Sequence, residues 1–427
     1  MATVHDRAPA TGRTDGRRLP RTAGFWLLGG VLLTFMAAAS APSPLYVVYQ
    51  HEWRFSATML TAVFAVYALA LLIALLTVGG LSDFIGRRPV LVLALLAETA
   101  AMVLFLTAGD VGTLLAARTL QGLATGTATG AISAGLVDLQ PGTRLGPLVN
   151  SVAPTLGLAA GALGTGALVE YAPAPTTLVF VLLTAAFPLL AAAVAFLPEL
   201  VSPRPGALAS LRPRASIPAG ARAPFLAALP CLIATWAMGG LYLSLGGSLS
   251  AGVLHVRSHL VGGLVVSALT GAGAVASTLL RDRTPHRVMI AGSAALAAGT
   301  GLTLLALALT STPLFFLGTA VAGCGFGAAF LGAFRSLAAL AGPAQRAELF
   351  AAVYVVSYLA FSVPAVLAGL AVPSLGLRAT ATGYGAIVIA LALTAALSGA
   401  VRARAARTAA PVTAAAPCPA GSRPAAG

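Results

Sequence analysis

Long apolar runs, separated by short stretches of Gly, Pro and charged residues, dominate this chain. About 20 apolar residues in a helix cross the roughly 30 Å hydrocarbon core of a bilayer. The runs therefore predict twelve membrane-spanning helices. They lie at residues 25–48, 57–79, 88–107, 111–137, 146–169, 176–197, 224–247, 258–280, 288–309, 313–335, 347–371 and 379–401.

One long polar linker, residues 198–222, divides the predicted spans into six and six. A polar N-terminal tail at 1–23 precedes the first bundle at 24–197, and the second bundle occupies 223–401. The Ala- and Pro-rich residues 402–427 are typical of a disordered tail. We expect an all-α membrane protein with twelve transmembrane helices in two pseudo-symmetric six-helix bundles.

The composition supports lipid as the solvent of most of the chain. Of the 427 residues, 58% are hydrophobic and 8% are charged, and the mean hydropathy is +0.94. A soluble domain carries roughly a quarter charged residues. A large water-facing surface is therefore excluded.

The placement of the basic residues orients the spans. All 25 are Arg; 21 of them fall on one predicted side, three on the other and one inside a span. Positive residues accumulate on the cytoplasmic side of membrane proteins. We therefore expect a multi-pass plasma-membrane protein with both termini cytoplasmic, and we expect the lipid bilayer, not nucleic acid, to be the partner of its net charge of +14.

The two halves of the chain have matching residues at a nearly constant spacing. Asp83 and Asp282 follow the second and eighth predicted spans and are 199 residues apart, as are Arg88 and Arg287. A nearly constant offset predicts two parallel six-span repeats, an architecture in which transporters place their site between the repeats.

The loop after the second span carries a family motif. It reads VGGLSDFIGRRP and satisfies the pattern Gly-x-Leu-x-Asp-x-x-Gly-Arg-Lys/Arg with Gly79, Leu81, Asp83, Gly86, Arg87 and Arg88. On this motif the chain resembles the major facilitator superfamily over all twelve spans, and its pattern is similar to that of the efflux members. Phe84 departs from the family, which usually has a basic residue there.

The resemblance implies a role for this loop. In the family, the motif Asp pairs with the motif Arg and with the N-terminal end of a helix in the other half, and an acid at the end of the fourth span completes the cluster. Asp83, Arg87 and Asp138 match these positions. The cluster would be a latch that forms when the halves meet on the cytoplasmic side and favours the outward-open state. Arg87 and Arg88 have the alternative of reaching lipid headgroups.

Two further stretches resemble family motifs. Arg118-Thr119-Leu120-Gln121-Gly122 in the fourth span matches Arg-x-x-Gln-Gly. Glycines at 122, 126 and 130 then share one side of the helix and permit close packing. The fifth span has Pro154, Gly157 and Gly161 but matches the antiporter motif only partly.

Glu98 and Arg118 are charges inside predicted spans, where each costs at least about 2.5 kcal/mol. They lie at similar depth in spans three and four and can neutralise each other. Alternatively, family geometry places Arg118 and Gln121 at a central substrate cavity. Glu98, the only acid clearly inside a span, is then the candidate for proton coupling.

Aromatic residues add candidates for substrate contact. Trp236 and Tyr242 lie on the seventh span and Tyr354 and Tyr358 on the eleventh, where they could stack on an apolar or aromatic compound. Packing within a bundle, or a place in the interfacial aromatic belt, is the alternative.

Other function classes lack their residues. None of the five His lies in the middle of a span, and we find no metal triad, GxSxG or phosphate-binding loop. We expect no enzyme activity, no cofactor and no metal. The resemblance implies a secondary transporter, functional as a monomer, that exports a small hydrophobic compound or drug with protons. Uptake or facilitated diffusion of a nutrient or metabolite is the alternative, and a non-transporting receptor or scaffold is the alternative from another class.

Overall fold

The computed structural model describes residues 18–142, 145–199, 201–213, 215–256, 258–340 and 345–408. These residues form α-helices joined by short loops and one 3-10 turn at Ala219–Ala221. The helices are α1 Arg21–Ser40, α2 Pro42–Trp53, α3 Ala57–Thr77, α4 Ser82–Ile85, α5 Arg87–Leu106, α6 Val111–Leu139, α7 Leu145–Tyr171, α8 Leu178–Ala195, α9 Ala207–Ser210, α10 Arg222–Gly252, α11 His259–Leu280, α12 Pro285–Leu309, α13 Thr312–Ala338, α14 Arg346–Leu375 and α15 Leu377–Thr408.

The prediction of twelve spans in an all-α fold is confirmed. Eleven helical segments of the described chain are long and apolar enough to cross a membrane, with α1 and α2 counted together. The remaining long helix, α6, has 29 residues, and Arg118, Gln121 and several Thr and Gly lower its hydropathy. Polar groups inside a membrane helix indicate a function for that helix.

The observed helices differ from the predicted spans mainly at their ends, where polar residues continue a helix beyond the apolar run. The last helix, α15, runs to Thr408 and so includes the first seven residues of the predicted tail 402–427. The rest of that tail, from 409 onward, lies outside the described residues, and so do residues 1–17, Arg144 and Arg214.

Contacts between connecting segments place the loops on two sides: the Arg204 N–H of the linker donates to the Phe84 oxygen, and Glu170 accepts from the His259 N–H. We call one the arginine-rich side; it holds the loops at 78–86 and 281–284 and the linker 196–221. The opposite side holds the loops at 54–56 and 172–177.

Glycine lets α6 lie directly against α3. A Cβ added at Gly122 would lie 2.3 Å from the Tyr67 carbonyl oxygen, and one at Gly126 would lie 2.3 Å from that of Leu71. Real Cβ atoms do not come so near an oxygen, so larger residues would push the helices apart. The glycine spacing of the fourth span is thus a packing surface, as small residues are at membrane helix contacts.

The same contact recurs in the second half. A Cβ at Gly323 would lie 2.4 Å from the Leu269 carbonyl oxygen, and one at Gly327 would lie 2.1 Å from that of Gly273. These residues of α13 and α11 follow their counterparts in α6 and α3 by 201 or 202 positions. The sequence repeat therefore corresponds to a repeated helix contact.

Among the described residues, two helix pairs make most of the contact between the halves: α3 packs on α14, and α7 packs on α11. The Thr58 hydroxyl donates to the Gly369 carbonyl oxygen at 2.9 Å, close to the opposite side. Farther into the molecule, the Ser267 hydroxyl donates to the Ala159 carbonyl oxygen at 2.7 Å. These contacts hold the two halves together on the opposite side.

Candidate functional site

A chain of three buried polar side chains crosses the first half. Glu98 on α5, and Arg118 and Gln121 on α6, are all fully buried. The Gln121 amide nitrogen donates to Glu98 Oε1 at 3.1 Å, and Arg118 Nη1 donates to Gln121 Oε1 at 2.6 Å. Gln121 therefore connects the two charges, which the sequence placed at similar depth.

The chain ends on backbone carbonyls of α1. Arg118 Nη1 donates to the Ala39 oxygen at 3.0 Å, and the Gln121 amide nitrogen donates to the Ala38 oxygen at 3.1 Å. In a regular helix the N–H of residue 42 would bond to the Ala38 oxygen, but Pro42 has no N–H. The proline thus frees a carbonyl deep in the membrane region, and a neighbouring helix supplies its donor.

Aromatic rings surround the guanidinium of Arg118. Its central carbon lies 4.8 Å from the centre of the Tyr67 ring and 5.7 Å from that of Tyr46. A cation over an aromatic face is attracted by the ring quadrupole, more strongly where water is absent. These rings compensate part of the cost of burying Arg118.

Several polar atoms of this network keep bonding capacity. Among the described residues, Glu98 Oε2, the Tyr46 hydroxyl, and Nε and Nη2 of Arg118 are buried and have no hydrogen-bond partner. Buried polar groups are nearly always paired. Glu98 Oε2 can accept a proton or a hydrogen bond, and the Arg118 nitrogens can donate to a polar group of a ligand.

Tyr358 links the network to the second half. Tyr358 and Leu158 pack against Tyr67, whose ring faces Arg118. The Tyr358 ring also lies 5.0 Å from Trp236 on α10, centre to centre, and 6.3 Å from Tyr354. Three of the four predicted aromatic candidates are therefore neighbours where the halves meet.

Tyr242, the fourth aromatic candidate, lies elsewhere. Its side chain is buried inside the second half, and its hydroxyl is 2.8 Å from the Thr319 hydroxyl and 3.5 Å from that of Thr303. The ring stacks on Phe315. This is the packing alternative considered for the residue, so we leave Tyr242 out of the candidate site.

The predicted motif on the arginine-rich side comes together as a cluster. Arg87 Nη2 lies 2.7 Å from an Asp138 carboxylate oxygen and 3.8 Å from one of Asp83. The guanidinium of Arg88 donates to the Ala195 carbonyl oxygen at 3.4 Å. Both ion pairs lie within the first half, so they do not by themselves require the halves to meet.

Glu199, which the sequence analysis overlooked, completes this cluster. Its two carboxylate oxygens accept from the backbone N–H groups of Arg87 at 2.9 Å and Arg88 at 3.1 Å, at the N-terminus of α5. Gly86 makes room: its φ is +100°, and a Cβ there would lie 2.8 Å from the Glu199 carboxylate. Glu199 is the only acid in the linker 198–222, a signal that it has a specific partner.

The described residues contain no group of three or more His, Cys, Asp or Glu that could hold a metal ion. The polar chemistry of the site consists of Glu98, Gln121 and Arg118, with the aromatic residues beside them.

Two solved structures share this fold. A crystal structure of a variant of the nucleoside transporter NupG has a TM-score of 0.67 at 13% identity and covers 88% of this chain and 99% of that chain. The crystal structure of the human organic anion transporter MFSD10 (TETRAN) has a TM-score of 0.62 at 19% identity and covers 88% of this chain and 100% of that chain. At these identities the likeness shows the fold alone. No curated protein sequence matches the chain significantly.

The family itself is shown by sequence. The profile of the Major Facilitator Superfamily matches residues 27–305, more than half of the chain. The matched region includes the motif loop with Asp83 and the buried network of Glu98 and Arg118. The protein is a multi-pass membrane protein with a transporter fold, and it belongs to the Major Facilitator Superfamily.

Proposed function

We propose that the protein is a secondary transporter that works by alternating access and exports a small hydrophobic compound in exchange for protons. The family and fold support membrane transport. The observation that carries the proposal of proton coupling is the buried chain from Glu98 through Gln121 to Arg118.

A proton on Glu98 would change how α5, α6 and α1 hold each other. Without the proton, the carboxylate is a buried anion beside the Arg118 cation, joined to it by Gln121. With the proton, Arg118 keeps its charge but loses the compensating anion, and a buried charge without a partner is costly. The charge state of Glu98 therefore affects the hydrogen bonds that Gln121 and Arg118 make to α1. In alternating access one bundle rocks against the other, and α1 would move with its bundle.

The aromatic side chains support an apolar or aromatic substrate. Trp236 and Tyr358 are half-buried neighbours, and Tyr358 packs against Tyr67, whose ring faces Arg118. Flat rings offer a large apolar contact area. The proposed substrate would lie against these rings, near enough to the buried network for substrate and proton binding to influence each other.

The proposed orientation has the arginine-rich side in the cytoplasm of a plasma-membrane protein, with both termini on that side. The cluster of Asp83, Arg87 and Asp138 would then act on the cytoplasmic side as a latch that favours the outward-open state. We propose that a monomer carries out transport.

The first experiment measures proton movement in everted membrane vesicles. A panel of lipophilic cations, neutral antibiotics and sugars is added to vesicles with wild-type protein, with Glu98→Gln, or with the matched control Glu52→Gln, which changes an exposed acid of α2. We expect one class of compound to move protons in the wild type and the control, and the response to be lost in Glu98→Gln.

Two other results would change the proposal. If the response persists in Glu98→Gln, exchange with protons stands but Glu98 does not carry them. If a labelled compound crosses the membrane without any proton response, proton-coupled export is wrong and uptake or facilitated diffusion takes its place.

A further inference from the structure

Glu170 joins the two halves of the protein on the opposite side. It lies in the last turn of α7, in the first half, and its side chain is 28% exposed. Its Oε2 accepts from the backbone N–H of His259, the first residue of α11 in the second half, at 2.8 Å. The His259 ring Nδ1 lies 3.6 Å from the same oxygen.

Glu170 therefore supplies a carboxylate to a helix N-terminus that belongs to the other half. The first N–H groups of a helix have no partner within it, and together they carry about half a positive charge. Within α11, Ser258 satisfies one of these groups by accepting from the Val261 N–H at 3.4 Å. The negative charge at this N-terminus comes from Glu170, across the boundary between the halves.

The backbones of the two helices touch immediately beside this contact. A Cβ at Gly263 would lie 2.4 Å from the Ala162 carbonyl oxygen, and one at Gly166 would lie 2.8 Å from that of His259. The position of Glu170 relative to α11 is thus set by direct contact of α7 with α11. Separation of the halves on this side would break the carboxylate–helix contact together with the backbone contacts at Gly263 and Gly166.

We propose that Glu170 is a latch that holds the opposite side closed, and that its bond to α11 must break each time the site opens toward that side. The inference rests on the alternating access of the proposed function, but not on the substrate, the direction or the coupling ion. The contact exists only while α7 and α11 meet on this side. It therefore stabilises one state of the cycle and not the other.

The test measures a distance across the opposite side in purified full-length protein in lipid nanodiscs. Spin labels are attached at Gly109→Cys in the first half and Leu375→Cys in the second, both exposed, in a background with Cys231, Cys324 and Cys418 replaced by Ser. Pulsed dipolar spectroscopy then gives the populations of short and long distances.

Glu170→Gln keeps the shape of the side chain and removes its charge. We expect it to raise the ratio of long to short distances by about 2- to 5-fold, the range for a carboxylate at the surface beside a helix N-terminus. Glu52→Gln removes an exposed acid from the same side of the same half and should leave the ratio unchanged. His259→Ala keeps the backbone N–H and should have a smaller effect than Glu170→Gln.

An unchanged ratio in Glu170→Gln would overturn the latch, provided that the variant elutes as a monodisperse peak like the wild type. A variant that fails this check is replaced by Glu170→Asp, whose shorter side chain should raise the ratio in the same direction. An equal effect of Glu52→Gln would also overturn it, because general surface charge would then explain the shift.

The latch and the proposed function fail separately. If Glu170→Gln shifts the distances while no compound moves protons in vesicles, the latch stands and proton-coupled export is wrong. If compounds move protons but the distances do not respond to Glu170→Gln, export stands and the latch is wrong.

Discussion

Gln121 lies between two buried charges of opposite sign, and its position determines how they interact. A direct ion pair would leave little bonding capacity for other groups. Here the Gln121 amide bonds to Glu98, its carbonyl oxygen bonds to Arg118, and both Gln121 and Arg118 also donate to α1. A change in either charge therefore alters hydrogen bonds among α1, α5 and α6.

Replacing Arg118 with Met keeps a long side chain and removes the charge. The Ala39 carbonyl and Gln121 Oε1 each lose a donor, and a charge on Glu98 would have no compensating cation. Removing one partner of a buried ionic group costs about 3–5 kcal/mol. We expect Arg118→Met to lower the free energy of unfolding by an amount in this range, measured by denaturant titration in detergent micelles.

The double variant Arg118→Met with Glu98→Gln tests whether the charges interact. It leaves no buried ion, so we expect it to be more stable than Arg118→Met alone, a non-additivity measured by a double-mutant cycle. Strictly additive losses would mean that Gln121 does not couple the two charges.

The sequence identified the charged members of this network but not their bonds. Glu98 and Arg118 stand out because charges inside spans are rare, yet spacing alone left open whether they pair. The answer depends on the side-chain direction of Gln121 and on a carbonyl freed by Pro42. The direction of the Tyr242 side chain was likewise not predictable. Its span is apolar on all sides, so the sequence pattern does not indicate which side faces the other half.

At the scale of helices, glycine sets how closely α6 approaches α3. A methyl group at position 126 would lie 2.3 Å from the Leu71 carbonyl oxygen and 2.8 Å from the Cβ of Ala74. We expect Gly126→Ala to lower the free energy of unfolding by about 1–3 kcal/mol, the usual cost of overpacking. Denaturant titration of the purified protein measures the change.

Gly30→Ala is the matched control. Gly30 is also in the middle of a membrane helix, but a Cβ there meets nothing within 4 Å. We expect this variant to be as stable as the wild type or more stable by up to about 1 kcal/mol, since Ala favours helix more than Gly. Equal losses in both variants would show that the contact with Leu71 is not the cause, because a Cβ at Gly30 meets no neighbour.

The positions of the helices were largely predictable because each span depends on the apolar residues of its own segment. A run of apolar residues of the right length is visible in any sequence that spans a bilayer, and the ends of α3 and α5 fall within two residues of the prediction. The division of the first span at Pro42 and the role of Glu199 were missed. Both depend on which distant group meets a free carbonyl or N–H group.

At the scale of the whole molecule, the two sides of the protein differ in what joins the halves. On the opposite side, α7 contacts α11 through Gly263, and α3 contacts α14 through Thr58. On the arginine-rich side, the ion pairs of Arg87 are within the first half. The repeat in the sequence predicts two similar halves, but it does not predict which side is closed, since that depends on contacts between the halves.

A disulfide across the closed side tests whether the halves must separate there. A Cβ at Gly247 of α10 would lie 3.3 Å from a methyl carbon of Val47 in α2, so Cys residues at these two positions are near enough to be joined by a disulfide. We expect oxidation of the Val47→Cys, Gly247→Cys variant to stop transport of the compound found with vesicles, and reduction to restore it. Each single variant, which keeps the native cysteines, should transport equally well before and after oxidation. Undiminished transport by protein shown by mass spectrometry to be fully cross-linked would mean that the α2–α10 contact stays closed throughout the cycle, and the opening would then have to lie elsewhere on this side.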